Sequence, residues 1–351
     1  MRIYKSTLIV LVSISTALFG ASFQGIGMPA SGVPYFEAIS SNYTLVGRNP
    51  NWVWSGGTYT VPSFPGLITA LSDDGLTIVS GEFGYGNLFY RTIGGATEII
   101  SGIAGFAYTT PYGISADGSK IVGNTRSPQM LGWVYENGSY NLLPLPVWGQ
   151  GTDSLKISSD GSIIAGGVWG STGEGHIVLW ENDNMNVLSN PAGVNSAFLR
   201  ALSGDGLTVA GGYYDSFHNR QVYVWRNGNI DMLPLLTGAT SAVATAVSFD
   251  GSLVFGNLLD SSENSIGSFV WDDINGTRLL KDFLEDDYGI DLTGWNLMSV
   301  SATDASGNII TGYGINPQGQ GELWIATIPE PATIALFAFG GLMMRRKALG
   351  I

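Results

Sequence analysis

The sequence predicts an all-β chain folded as a β-propeller of seven blades, each of about 45 residues. Three observations predict it. A short motif recurs seven times between residues 38 and 312. No single unit is large enough to bury its own apolar face, so the units must pack on one another. The last unit lacks a final strand, while an unassigned strand precedes the first. Pairing the two would close a ring and remove the open edges. An open solenoid is the alternative architecture.

The recurring motif reads AISSNYTLVG (38–47), ALSDDGLTIVSG (70–81), GISADGSKIVG (113–123), KISSDGSIIAG (156–166), ALSGDGLTVAG (201–211), AVSFDGSLVFG (246–256) and ATDASGNIITG (302–312). Each copy has a small polar residue, then a turn centred on Asp-Gly or a relative, then an apolar strand ending in Gly. The first copy is degenerate, with Tyr43 in place of the turn glycine. Counted from Ser40, the intervals are 32, 43, 43, 45, 45 and 56 residues.

A second element follows each first one: NWVW (51–54), NLFY (87–90), GWVY (132–135), IVLW (177–180), VYVW (222–225), SFVW (268–271) and GELW (321–324). Trp52 with Trp54, Trp133 with Tyr135, Tyr223 with Trp225 and Phe269 with Trp271 are i, i+2 pairs, which share one face of a strand. Turn signals come next, such as Glu136-Asn137-Gly138 and Arg226-Asn227-Gly228. Asn-Gly favours a hairpin because both residues tolerate positive φ. A further short strand then appears, as in Asn141-Leu142-Leu143 and Asp231-Met232-Leu233. The unit thus holds three or four strands. The N-terminal piece Phe23–Gly27 is the strand expected to complete the last unit. One insertion, RLLKDFLEDDYGI (278–290), places Leu279, Leu280, Phe283 and Leu284 at helical spacing, with Gly289 able to end the helix.

The paired elements resemble the HAF-type extracellular repeats of bacteria, in which a DG turn and a V-x-G strand precede an H-A-F-x-W strand. His176-Ile177-Val178-Leu179-Trp180 is the nearest match. The final unit, with Leu292-Thr293-Gly294-Trp295 and Gly312–Gly319, also has the look of that family. The resemblance spans residues 23–327. It implies a secreted or surface scaffold and no defined activity.

Both ends read as addresses. Arg2 and Lys5 precede an apolar stretch from Leu8 to Ile14 and then small residues, the layout of a signal peptide over residues 1–22. At the other end Pro329-Glu330-Pro331 leads into an apolar run, Ala332 to Met344, which stops at Arg345-Arg346-Lys347. As a helix this run would reach roughly 20 Å, short of the ~30 Å hydrocarbon core. The basic cluster would stay on the cytoplasmic side. Residues 328–351 closely resemble the PEP-CTERM sorting signal of Gram-negative bacteria. That resemblance implies recognition and cleavage by an exosortase, with transient membrane contact through 332–344. It also implies an association with exopolysaccharide or surface proteins.

Composition sets the remaining bounds. The chain has 351 residues and a formal charge of −13. Without its two ends it loses five basic residues and one acidic residue, which leaves −17. Nucleic acid is not an expected partner, because phosphate binding needs a basic face. There is no cysteine, so disulfides and thiolate chemistry are absent. Two histidines, His176 and His218, are too few for the usual zinc sets. No GxSxG, HExxH or P-loop occurs. Asp74, Asp117, Asp160, Asp205 and Asp250 recur at one turn position, where an Asp caps its own backbone. A calcium loop needs six or more oxygens on one ion, and these turns offer one carboxylate each, apart from Asp73-Asp74. Glu285, Asp286, Asp287 and Asp291 form the denser acidic cluster, read as a solvated helix end. The expectation is therefore no catalytic residue, no metal and no cofactor. The aromatics outside the strand motifs, Trp148, Trp169, Tyr213, Tyr214, Trp295 and Tyr313, either fill gaps between blades or form a sugar-stacking surface on loops.

Overall fold

Each repeat folds as one four-stranded antiparallel sheet, and the described residues form seven such sheets. The computed structural model describes residues 20–29, 35–48, 50–62, 66–81, 88–182 and 184–329. Blades 1 to 6 occupy residues 35–60, 67–101, 108–142, 149–187, 197–232 and 241–279 in sequence order. Blade 7 comprises residues 296–327, and its outermost strand is Ser22–Gly27 from the other end of the chain. The first strand of each blade touches the first strand of both neighbours, and the last of these contacts joins blade 7 to blade 1. The ring is therefore a closed seven-bladed β-propeller, as the missing final strand predicts. Residues 1–19 of the signal-peptide stretch, the run 332–344 and the residues Glu330, Pro331, Arg345, Arg346 and Lys347 lie outside the described residues, while Gly20, Ala21 and Ser22 are described, Ser22 as the first residue of a strand, and Pro329 is the last residue described.

A strand alternates its side chains between two faces, and in the middle strands of the blades both faces are largely buried, whereas an outermost strand such as Asn184–Val187 is exposed. One apolar cluster fills each of the seven inter-blade seams. In Gly321–Thr327, Trp324 and Ala326 enter the seam with blade 6, while Leu323 and Ile325 enter the seam with blade 1. The i, i+2 aromatic pairs share seams as expected: Trp52 with Trp54, Trp133 with Tyr135, and Phe269 with Trp271.

The glycine that ends each repeat strand has a packing role that φ does not reveal. In the ladder it faces the large residue of the next strand: Gly47 and Trp52, Gly81 and Phe89, Gly123 and Trp133, Gly211 and Tyr223, Gly256 and Phe269, Gly312 and Trp324. At Gly123, Gly211, Gly256 and Gly312 that ring lies over the bare backbone, whereas Pro111 covers Gly81. A Cβ on Gly123 would sit 2.4 Å from Trp133 Cζ2, and one on Gly211 2.4 Å from Tyr223 Cζ. Blade 4 departs from the pattern. Val178 faces Gly166, and Leu155 and Trp180 cover the glycine instead.

The Ser-x-Asp-Gly turns are built alike. In blade 3 Asp117 Oδ1 accepts from Ser115 Oγ at 2.7 Å and from the Ser119 N–H at 2.9 Å. Ser115 Oγ in turn accepts from the Lys120 N–H at 3.0 Å. Blades 2, 4, 5 and 6 repeat the set. The Ser115 hydroxyl and the Ser119 N–H hold Asp117 below the ordinary carboxylate range. The repeated aspartates are thus turn residues, as their spacing predicts.

The turns also link blade to blade. Ser41 N–H donates to Asp73 O, Asp73 to Ala116, Ala116 to Ser159, and Ser159 to Gly204, at 2.8–3.0 Å. Asp205 continues to Phe249 and Phe249 to Ser306, at 2.9 and 3.2 Å. Asp73 Oδ1 completes the circle by accepting from Ala305 N–H at 3.0 Å and Ser41 N–H at 3.1 Å. The extra acid of the Asp73-Asp74 pair is therefore the clasp of a hydrogen-bonded necklace.

Blade 7 swaps the turn residues: Asp304 stands where the others have Ser, and Ser306 where blades 2 to 6 have Asp and blade 1 has Asn42. Asp304 is buried, at 4% exposure. Burial pushes its carboxyl up, against the hydrogen bonds from Ser306 and Ile309, and the Asp73 charge pushes the same way. Folding then costs free energy when Asp304 ionises. The cost is absent below the unfolded-state value near 3.8 and grows as pH rises toward the raised folded value. Exchanging the two residues (Asp304→Ser with Ser306→Asp) is expected to stabilise the fold at pH 7–8 by about 1 kcal/mol. The gain should vanish near pH 3. Urea melts across pH check this, and a gain independent of pH would contradict it.

The insertion forms a helix, Leu280–Asp286, with Leu280, Phe283 and Leu284 buried against blades 6 and 7. Leu279 does not join that face. It ends the outer strand of blade 6 and is 41% exposed, because the strand ladder claims it first. Gly289, at φ +66°, lets the chain turn away.

Candidate functional site at the channel mouth

The inner strands are Tyr35–Ile39, Leu67–Leu71, Tyr108–Ile114, Gly149–Ile157, Ala197–Leu202, Ser241–Val247 and Asn296–Thr303. Every one carries a β-bulge at the same level. The register breaks between Phe36 and Ala38, Ile68 and Ala70, Pro111 and Gly113, Asp153 and Lys156, Leu199 and Ala201, Ala244 and Ala246, and Val300 and Ala302. A bulge inserts one unpaired residue and re-aims its side chain. The residues at the breaks are Glu37, Thr69, Tyr112, Ser154 with Leu155, Arg200, Thr245 and Ser301, and all of them line the central cavity. The fold thus presents a ring of seven independently variable side chains around the axis.

That cavity measures about 980 Å³ and opens at the start of the inner strands. A smaller one of about 260 Å³ lies at the necklace end, lined by Asp73, Ala116, Ser159, Gly204 and Ala305. Antiparallel pairing puts the ends of the second strands and the loops entering the inner strands on the mouth face. Ser22 pairs with Thr327, so the described chain enters and leaves on the necklace face, opposite the mouth.

The mouth is charged. Glu37 pairs with Arg48. Lys156, Arg126, Asp153 and Arg200 complete the charged lining. Burial pushes Glu37 up to about 7, against the pull of Arg48 and Lys156. Burial likewise raises the Asp153 carboxyl and lowers the Lys156 ammonium, which Glu37 partly restores. The Arg200 guanidinium stacks 4.4 Å from the Phe198 ring, whose centroid lies 5.5 Å from that of Tyr214.

The six loop aromatics divide. Trp148 packs in the blade 3–4 seam with its ring 5.2 Å from His176. Trp295 packs edge-on against Phe23 at 4.9 Å. Tyr213 and Tyr313 pack against neighbouring seams. These four fill gaps. Trp169 and Tyr214 stand apart, 40% and 53% exposed on the mouth face, and Trp169 lines the cavity. His218 lies in the turn after Tyr214 with φ +65°. In the acidic insertion Asp287 pairs with Arg278 at 2.9 Å, and Glu285 lies 3.9 Å from Lys281. No group of three or more His, Asp or Glu side chains suited to a metal occurs among the described residues.

Sequence reading did not find the bulge ring. Glu37, Thr69, Tyr112, Ser154, Arg200, Thr245 and Ser301 have no residue type common to all, and each sits one or two positions before the repeat motif. Their constant offset ahead of the Ser-x-Asp turn, three residues in blades 1, 2, 3, 5, 6 and 7, was the available signal.

Comparison with known proteins adds little beyond the fold. No protein-family model matches the chain, and no curated protein matches it. Among solved structures, a TolB-like protein from Agrobacterium tumefaciens superposes with a TM-score of 0.48 at 15% identity, covering 78% of this chain and 95% of that one. Among the described residues no helix is long and apolar enough to cross a membrane.

Proposed function

We propose that the chain is an exported, non-enzymatic propeller of the PEP-CTERM type with HAF-type repeats, and that it serves as an adhesive surface or matrix component contacting exopolysaccharide through its channel mouth. The observation that carries the reading is the exposed Trp169 indole at the rim of a cavity ringed by hydrogen-bonding side chains. A flat aromatic face beside fixed polar groups is what a pyranose ring needs. Geometry supports the surface role. The chain ends leave from the face opposite the mouth, so a protein held by residues 332–344 would turn its mouth outward until an exosortase acts at Pro329-Glu330-Pro331.

Binding rather than bond cleavage is favoured because the carboxylates at the mouth have cationic neighbours: Glu37 is paired with Arg48, and Asp153 feels Arg200. The test is calorimetry of the purified full-length chain with polysaccharide from the producing cells, with chain length of the polymer followed in parallel. Saturable binding that falls about tenfold in Trp169→Ala, with the polymer intact, is the expected result. Shortening of the polymer would replace this reading with a hydrolase or lyase. Absence of binding would remove the saccharide role.

A further inference from the structure

The charge at the mouth runs against the charge of the molecule. Set aside Arg2, Lys5, Arg345, Arg346 and Lys347, and ten of the fifteen basic residues remain in the body. Four of those ten, Arg48, Arg126, Lys156 and Arg200, line the one 980 Å³ cavity. Of the 27 acidic residues left without Glu330, two line it, Glu37 and Asp153. Glu37 is taken up by Arg48. Glu37 also draws on Lys156, and Asp153 on Arg200, yet among the described residues none of Arg126, Lys156 and Arg200 makes an ion pair. A cationic funnel inside an acidic shell is not a by-product of composition, because a random draw from this sequence would line the cavity with acids.

Low-dielectric walls focus such a field toward the axis, where it acts on a ligand entering the mouth rather than on the surroundings. The cations come from three different blades: Arg126 ends a strand of blade 3, Lys156 lies on blade 4, and Arg200 is the bulge residue of blade 5. Trp169, on blade 4, stands on the same side of the ring. Blades 3 to 5 thus combine guanidinium forks, an ammonium and a stacking surface. Arginine forks match carboxylate oxygens in pairs, and the indole beside them suits the ring that carries the carboxylate.

We infer that the mouth, over blades 3 to 5, is a binding site for the carboxylate of an acidic sugar, a uronate residue of a polysaccharide chain. This rests on the saccharide reading above and adds to it a ligand class that the overall charge of the protein would argue against. The acidic exterior repels such a polymer at distance, and the funnel captures the residue threaded into it. Binding should therefore be local, one or two residues long, and weakened by salt.

The experiment is calorimetry of the full-length chain with three probes: a galacturonate oligomer, the same oligomer with its carboxyls reduced to alcohols, and inorganic phosphate. The acid oligomer should bind about tenfold or more tightly than the reduced one. Arg200→Gln and Lys156→Gln should each remove most of that difference, with the melting temperature near wild type. Two variants are used because Arg200 also stacks on Phe198. Equal affinity for the two oligomers, or tighter binding of the reduced one, overturns the carboxylate site and leaves saccharide binding standing. Binding of neither oligomer overturns both. Phosphate binding lost in Arg200→Gln, with neither oligomer bound, assigns the funnel to a small free anion and overturns the uronate source.

Discussion

A chain that starts at Met28 is expected to lose the cooperative fold, whereas one that starts at Phe23 should melt like the longer chain. The strand Ser22–Gly27 is six residues long, yet among the described residues it alone pairs with the outer edge of the last blade. It pairs from Ser22 with Thr327 to Gly27 with Leu323. Its Phe23 ring stacks on Trp324 at 5.6 Å and meets Trp295 edge-on at 4.9 Å. Tyr59 Oη donates to Gly27 O at 3.2 Å, which ties the strand to blade 1 as well. Without it, Gly321–Thr327 becomes an open edge carrying Leu323, Trp324 and Ile325, a ready template for another chain. The loss of Phe23 packing alone costs about 3–5 kcal/mol. Size-exclusion chromatography and thermal melts of the two truncations give the answer. A monomeric Met28 chain with an unchanged midpoint would show that closure does not hold the ring. The same geometry limits processing at the N-terminus: a cut after Ser22 removes one ladder pair, and a cut after Gly27 removes the strand.

Gly312→Ala is the point substitution expected to cost most. The added Cβ would lie 1.9 Å from Ser299 O and 2.6 Å from Trp324 Cζ2. The first partner is backbone of the inner strand, and the second is the fully buried indole of blade 7. Neither can withdraw: Thr311 Oγ1 donates to Trp324 O at 2.8 Å, and Trp324 fills the seam with Phe255, Leu280 and Leu297. Overpacking of this kind costs about 3 kcal/mol or more. The midpoint should fall by about 5–10 °C. Gly228→Ala provides the contrast. Its φ of +83° strains an Ala, but nothing lies within 4 Å of the added carbon, so the cost should be nearer 1 kcal/mol. Equal losses at the two sites would mean that backbone freedom, and not the approach of Trp324, explains the repeat glycine.

These two sites mark the boundary between what was legible in the chain and what was not. The turns of blades 2 to 6 were legible because Asp-Gly carries local information: the Asp side chain and the glycine φ settle the turn before any other blade exists. The aromatic i, i+2 pairs were legible because strand alternation is local too. The missing strand of blade 7 could be inferred by counting. The reason for the terminal glycine was hidden, since it lies in a residue that faces it across the ladder. The division of six loop aromatics into four packed and two exposed was hidden for a similar cause. Trp148 and Trp169 have comparable neighbours in sequence, and the His176 ring that covers Trp148 comes from a later strand.

The functional surface depended most on tertiary structure. By itself the sequence determined the repeat and its period, the turn chemistry and the acidic charge of the body, while four strands per blade, out of the three or four that each unit allowed, came from the structure. Where the charge lies was decided by the ring. Arg48, Arg126, Lys156 and Arg200 are scattered over 153 positions with no spacing in common. Bulges in the inner strands and the upper ends of the second strands bring them to one axis. A closed ring converges on its centre, so residues that share only a level in their blades become neighbours there. Separation along the chain carries no record of that convergence, and the mouth could be seen only after the seven blades had closed.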